Sequence, residues 1–215
     1  FGGDEDLRFR ISAFDWNSQT RGFGRLLDEH KGFDCIIGNP PYIRVQELKK
    51  WANEECEFYK TQYKSAAKGN YDIYVVFIER GLQLLAPDGL LGFICPHKFW
   101  QATYGESIRG LIAKGKHLYS IIDFTDQQVF RGASTYTAIH VFSKVSASGR
   151  LDYTRIKNLT DGDAQCRAIE QEGYFAGIEK FAVDMPPVDV PWRFEPAKQS
   201  SHKAALAEAA PLTLS

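Results

Sequence analysis

An α/β fold, with a mostly parallel sheet flanked by helices and an irregular segment after it, is predicted by three observations. Strand-like and helix-like patterns alternate along the chain as far as Lys144. Two of the strand candidates, "FDCIIG" (33–38) and "LLGFICP" (90–96), are apolar runs of strand length that read as buried, the second continuous, as expected of a central strand covered on both faces. Beyond Lys144 the alternation fades, and "DMPPVDVPW" (184–192) carries three prolines, which forbid regular interior structure.

In chain order, "FDCIIG" runs straight into Asn39, Pro40, Pro41 and Tyr42. Two consecutive prolines withhold two backbone donors and hold the chain extended, so the strand must stop and a stiff loop must follow. The stretch from Lys49 to Lys68 mixes lysines (49, 50, 60, 64, 68) with Trp51, Phe58, Tyr59 and Tyr63, but also with Glu54, Glu55 and Glu57. It reads either as a phosphate-tracking lobe or as a solvated helical insertion. Ile73, Val76, Phe77, Leu82 and Leu85 then fall at helical spacing, and Pro87-Asp88-Gly89 is expected to be the turn that ends this helix. After "LLGFICP", a helix with Ile108, Leu111 and Ile112 on one side leads to the strand candidate "HLYSIIDF", a polar loop from Thr125 to Ser134, and a further strand in "TAIHVFSK". "LDYTRI" reads as one more strand, the stretch from Asp161 as irregular, and His202 to Ala210 as a helix candidate. A boundary is expected between about Ser146 and Thr160, dividing the chain into residues 1–150 and 151–215.

Composition narrows the function. A chain of 215 residues, 44% hydrophobic, suffices for one substantial core, and no apolar run approaches membrane-spanning length, so a cytoplasmic protein is expected with no membrane partner. Cys35, Cys56, Cys95 and Cys166 show neither a CxxC nor a Cys/His ligand spacing, so reduced thiols and no metal site are expected. A net charge of −1 excludes a wholly electrostatic nucleic-acid binder, though not an enzyme with a local basic cleft.

The quartet Asn39 to Tyr42 carries the chemistry. In an open α/β sheet, ligands bind beyond the carboxyl ends of the strands, which is where these residues fall. Asn39 offers a side-chain carbonyl and Pro40 a backbone carbonyl whose direction the next proline fixes. Two rigid acceptors beside one aromatic face suit an exocyclic amino group on a planar ring. Acceptors that draw the amino hydrogens out of plane return the delocalised lone pair to nitrogen, and they stabilise the positive charge that develops as it attacks. The alternative is a plain turn, since Asn-Pro commonly opens one.

The stretch "FDCIIGNPPYI" resembles motif IV of the N6-adenine DNA methyltransferases, in which the same quartet grips the target amine. The resemblance continues through "GNYDIYVVFIERGLQLLAPDGLLGFICPHKFW", "ATYGESIRGLI" and "IIDFTDQQVFRGASTYTAIHVFSK", so that residues from about Phe14 to Lys144 are similar to the subgroup that includes the Eco57I-like, type IIG restriction-modification enzymes. It implies a Rossmann-like S-adenosylmethionine-dependent methyltransferase fold, S-adenosylmethionine as cofactor, double-stranded DNA as partner, and methylation of a flipped adenine. It makes Asn39, Pro40, Pro41 and Tyr42 the catalytic residues. It also puts Phe130 against the flipped base opposite Tyr42, the alternative being a loop phenylalanine that plugs the local core. "AFDWN" is similar to the segment whose acidic residue approaches the cofactor adenine, which makes Asp15 a cofactor candidate; a helix cap or turn is the other reading. Trp16, Phe99, Trp100, His97 and His140 read as packing residues.

One departure accompanies the match. Family members carry a Gly-rich loop for the methionine moiety upstream of the quartet's strand, and "TRGFGRLLDEH" has no strong apolar strand before it. The chain is therefore expected to be part of a larger enzyme, inactive alone and partnered by the rest of it. Residues 1–150 would be the second half of the catalytic domain, and 151–215 a linker and the start of the target-recognition region. Two other functions remain open: a non-catalytic recognition or assembly module of a defence complex, and a methyltransferase acting on a protein glutamine amide.

Overall fold

The computed structural model describes residues 14–127, 129–130, 136–145, 149–158, 176–188 and 190–196. Its strands β1 (Phe33–Gly38), β2 (Leu85–Pro96), β3 (Leu118–Asp123), β4 (Thr137–Ser143), β5 (Arg150–Ile156) and β6 (Ile178–Asp184) form one sheet in the order β1-β2-β4-β3-β5-β6. β1 pairs parallel to β2, and β3 to β5; β4 runs antiparallel to both β2 and β3, and β6 antiparallel to β5. Hence β1, β2, β3 and β5 point one way, as the α/β expectation requires, while β4 and β6 are reversed. β4 can reverse because, among the described residues, no helix intervenes between it and β3, and a parallel pairing needs a long crossover.

The helices are α1 (Gly24–His30), α2 (Val45–Leu48), α3 (Asn53–Gln62), α4 (Tyr74–Leu84) and α5 (Glu106–Gly115). α4 is buried nearly all round through Tyr74, Val75, Val76, Ile78, Leu82 and Leu84, and α5 buries Ile108 and Ile112, at the spacing expected of one apolar stripe. Pro87-Asp88-Gly89 does not end α4, contrary to the sequence expectation. The helix stops at Leu84, where the Lys144 ammonium takes the Leu85 carbonyl, and the three residues form a bulge inside β2: Phe33 faces Leu85 but Cys35 faces Leu90. "FDCIIG" also differs from a strand covered on both faces. β1 lies at the edge of the described sheet, and Ile37 is 84% exposed.

The lysine-rich segment is helical and firmly anchored. Val45, Leu48, Cys56 and Ala66 are buried in the common core, and the buried Glu79 carboxylate of α4 accepts the Lys64 and Ser65 amides at 3.1 and 2.8 Å. Lys50 and Lys68 sit 2.6 and 2.9 Å from Glu47 and Glu106, while Trp51 stands 69% exposed.

The sheet continues across the boundary expected between residues 146 and 160, since β5 and β6 are hydrogen-bonded into it. The proline-rich stretch has no regular structure, yet Trp192 is fully buried; its amide bonds the Trp100 carbonyl at 2.7 Å, and Phe194 packs edge-on to Trp100. The helix candidate from His202 to Ala210, and Cys166, lie outside the described residues. No helix of the described residues is long and apolar enough to cross a membrane.

His140, fully buried on β4, shows how the core meets its polar groups. The Trp100 indole can only donate, and it reaches His140 Nε2 at 3.1 Å, so the ring proton sits on Nδ1 and faces Cys95 Sγ at 3.4 Å. Burial, with His97 nearby, lowers the His140 pKa from 6.5 to about 3. The unfolded chain therefore takes up a proton below pH 6.5 that the native state refuses until about pH 3, and stability falls as pH drops through that window. His140→Gln, which keeps an acceptor for Trp100, should flatten this fall by up to about 1.4 kcal/mol per pH unit. Urea unfolding of both proteins between pH 5 and 7 checks the expectation; parallel pH dependences would contradict it.

Candidate active site

β1 ends at Gly38, whose ladder partner is Phe93. The prolines then prevent further pairing, and the chain turns with Pro40 buried and Asn39 and Pro41 exposed. Tyr42 returns to the sheet: its hydroxyl donates to the Ile94 carbonyl at 3.0 Å, one residue past the last ladder pair. Burial, with the Cys95 thiol adding to it, pushes the Tyr42 phenol up to about 12, so the hydroxyl remains a donor across the physiological range. The Tyr42 ring meets Phe130 with centroids 6.3 Å apart and planes at 63°. Two aromatic side chains from distant parts of the chain thus converge edge to face beside the two prolines.

Asp15 is exposed and sits in a turn, where its carboxylate accepts the Asn17 amide at 3.2 Å. The Gly-rich stretch that follows packs on this turn. A Cβ at Gly22 would lie 2.1 Å from the Asp15 carbonyl oxygen, so only glycine permits the approach. The two glycines of "RGFGR" thereby find a packing role. Trp16 beside it carries the Arg80 guanidinium 5.8 Å above its ring. Asp15, Asn39, Pro40 and Pro41 line one cavity of about 1200 Å³, together with Phe58 and Arg80. Tyr42 and Phe130 are not among its lining residues. The six site residues expected from the sequence therefore fall into two adjoining groups that the Asn39–Tyr42 loop joins.

A further set was read in the sequence only as packing, or not at all. The His97 ring, just past the end of β2, is sandwiched between Trp100 (4.3 Å, 18°) and Tyr136 (6.1 Å, 17°), with Nε2 3.8 Å from Asp123 Oδ1 at the end of β3. Burial lowers the His97 pKa, and Asp123 opposes that shift. The Asp123 carboxylate also accepts the Thr125 amide at 2.8 Å and the Tyr153 hydroxyl. An aspartate two residues before a threonine, directly after a strand, is an Asx-turn signal that could have been noticed. Nothing local announces Tyr153, which arrives from β5.

Comparisons with known proteins agree on one family. A family model described as the Eco57I restriction-modification methylase matches residues 2–130. The chain is 38% identical over 112 residues to the type II restriction enzyme and methyltransferase RM.Eco57I of Escherichia coli, covering 52% of this chain and 11% of that protein. It is 35% identical over 127 residues to the type II methyltransferase M.XhoI of Xanthomonas vasicola, covering 58% of this chain and 22% of that one. The chain thus spans a fifth or less, or little more, of the length of these relatives. Among solved structures, it superposes on the type IIG restriction endonuclease BpuSI (TM-score 0.53, 15% identity, 82% of this chain and 22% of that chain). It also superposes on the type I restriction-modification system methyltransferase subunit from Streptococcus thermophilus (TM-score 0.52, 14% identity, 72% and 34%). These likenesses establish a shared fold, and with the family model accounting for residues 2–130 of the sequence, the chain belongs to the Eco57I restriction-modification methylase family.

Proposed function

We propose that this protein works as a site-specific DNA methyltransferase of a restriction-modification system, transferring a methyl group from S-adenosylmethionine to N6 of an adenine flipped out of the duplex. The observation that carries the reading is the Asn39–Tyr42 loop, fastened at the carboxyl end of β1 by the Tyr42–Ile94 hydrogen bond and faced by Phe130. The family assignment supports it. Base extrusion is required because N6 is otherwise held within the stack, and two converging aromatic rings would replace the stacking lost.

When bound, S-adenosylmethionine supplies a methyl carbon carried on a sulfonium. The chain's own residues then hold the acceptor amine. Asn39 Oδ1 and the Pro40 carbonyl accept its two hydrogens, and Pro41 fixes the direction of the second acceptor. Pulled out of conjugation, the nitrogen lone pair becomes nucleophilic; as the N–CH3 bond forms the S–CH3 bond breaks, leaving a neutral thioether, and the same dipoles stabilise the cation until it loses one amino proton to solvent. Asp15 would serve the cofactor as an acceptor for the adenosyl amino group, since it lines the cavity that Asn39 also lines.

In the full-length enzyme, Asn39→Ala should cut single-turnover methyl transfer roughly a hundredfold, about 3 kcal/mol, while DNA affinity changes little. Labelled methyl recovered as N6-methyladenine after nucleoside digestion is the expected product. A rate within about threefold of wild type would remove Asn39 from the chemistry, and label found in protein glutamine instead of DNA would overturn the nucleic-acid reading.

Tyr42→Phe keeps the aromatic face but leaves the Ile94 carbonyl without its donor. The expected cost is about 1 kcal/mol in urea unfolding, together with a fall in transfer rate smaller than that of Asn39→Ala. Unchanged stability would mean that the hydroxyl does not hold the loop.

A further inference from the structure

Phe130 must reach Tyr42 from the other side of β2, and the root of its loop is unusual. Thr125, two residues past β3, has φ 54°, a left-handed conformation that a β-branched residue adopts only at a cost and only where its surroundings over-determine it. Its amide donates to Asp123 Oδ1 at 2.8 Å, and its hydroxyl lies 3.1 Å from both the Ile156 carbonyl and the Asp126 carboxylate. The Gln127 amide closes the turn on the Phe124 carbonyl at 2.9 Å. Asp123 is buried, and its other oxygen takes the Tyr153 hydroxyl. Tyr153 is itself clamped between Phe181 of β6 (5.0 Å, 26°) and Phe194 (5.1 Å, 29°), and the Arg155 guanidinium holds the Phe194 carbonyl at 2.8 Å. Strands β5 and β6 and the proline-rich stretch therefore converge on one carboxylate at the base of the Phe130 loop.

We propose that Thr125 and Tyr153 are positioning residues for the methylation reaction: the Thr125 amide and the Tyr153 hydroxyl share the Asp123 carboxylate, the Thr125 hydroxyl ties the same turn to the Ile156 carbonyl, and together they fix the exit direction of the loop and so set Phe130 against Tyr42, where the target base enters. The proposal rests on the reading of the Tyr42–Phe130 pair given above. Neither residue touches the base. Each acts through Phe130, by making the aromatic contact preorganised and thereby cutting the ordering cost at the moment of flipping. Burial raises the Tyr153 phenol well above its ordinary value, with the Asp123 charge adding to the rise, so the hydroxyl stays a donor. His97, 3.8 Å from the same carboxylate, Arg155, whose guanidinium lies 5.6 Å over the Tyr153 ring, and Asp126, which shares the Thr125 hydroxyl, are the ionisable groups around it.

A double-mutant cycle in the full-length enzyme tests this. Tyr153→Phe should lower kcat for methyl transfer roughly tenfold with little change in affinity for duplex lacking the target site, and Phe130→Ala should lower it at least as much. The combination should be no slower than Phe130→Ala alone, because the tyrosine acts only through the phenylalanine. Both losses should shrink when the target adenine is mispaired, since less unstacking must then be offset. Thr125→Ser, which keeps the hydroxyl, should retain near wild-type kcat, and Thr125→Ala should lose about as much as Tyr153→Phe; this pair keeps the test decisive if Tyr153→Phe fails to fold. Multiplying effects of Tyr153→Phe and Phe130→Ala, or equal rates for Thr125→Ser and Thr125→Ala, would overturn the positioning role while leaving the target-site reading intact. Wild-type transfer by Phe130→Ala would instead sink that reading, and the proposal with it.

Discussion

The hydrogen bond from Tyr42 to the Ile94 carbonyl is the constraint on which the site's geometry rests. Pro40 and Pro41 free the chain from the sheet, since neither can join the ladder. A loop released in this way would wander unless something returned it, and the phenol does so at the first residue beyond the β1–β2 register. The hydroxyl is spent on the sheet, which leaves the ring face for Phe130 and whatever stacks there. One side chain thus joins backbone pairing, which sets position to a fraction of an ångström, to an aromatic surface that recognises only flatness.

Around that anchor the interior is unusually polar in its details and apolar in its bulk. His140, Trp100 and Cys95 form a buried chain of donors and acceptors in one tautomeric sense, directly beneath the turn that carries His97. Glu79 performs a similar service for the lysine-rich segment by taking two backbone amides that would otherwise be left bare. Such groups are costly when unpaired and specifying when paired, because only one arrangement satisfies them all. The lysine-rich segment therefore follows the core's geometry even though most of its surface faces solvent.

Much of this was legible in residue patterns. The strand ending at Asn39, the helix through Val76 and Leu82, and the strands around Phe93, Ile121 and His140 follow from periodicity and from proline's missing donor. That Phe130 would face Tyr42 is an expectation from a motif and its context, and the structure sets the two rings edge to face, 6.3 Å apart. Three things were not legible. Ile37 looks like a core residue in sequence because β propensity says nothing about which strand lies at an edge. Pro87-Asp88-Gly89 carries turn chemistry that serves equally for a bulge, and only the register on β1 decides between them. β6 comes from the stretch after Asp161 that reads as irregular, and the buried Trp192 from one whose prolines argue against regular structure; they are held by tertiary contacts with Tyr153 and Trp100, which no local window contains.

The reversed direction of β4 has an evolutionary corollary. Because β3 and β4 are antiparallel neighbours, β4 begins at the end of the sheet where β3 stops, and the pair needs no crossover around a face. Lengthening such a connection costs entropy only as the logarithm of its length, and it disturbs neither the register of β4 on β2 nor the packing of any helix. Residues added to this connection beyond Phe130 would leave both the Thr125 turn and the Asn39–Tyr42 loop in place. Variation there would alter what stands beside the Tyr42 ring without touching the strand that leads into Asn39.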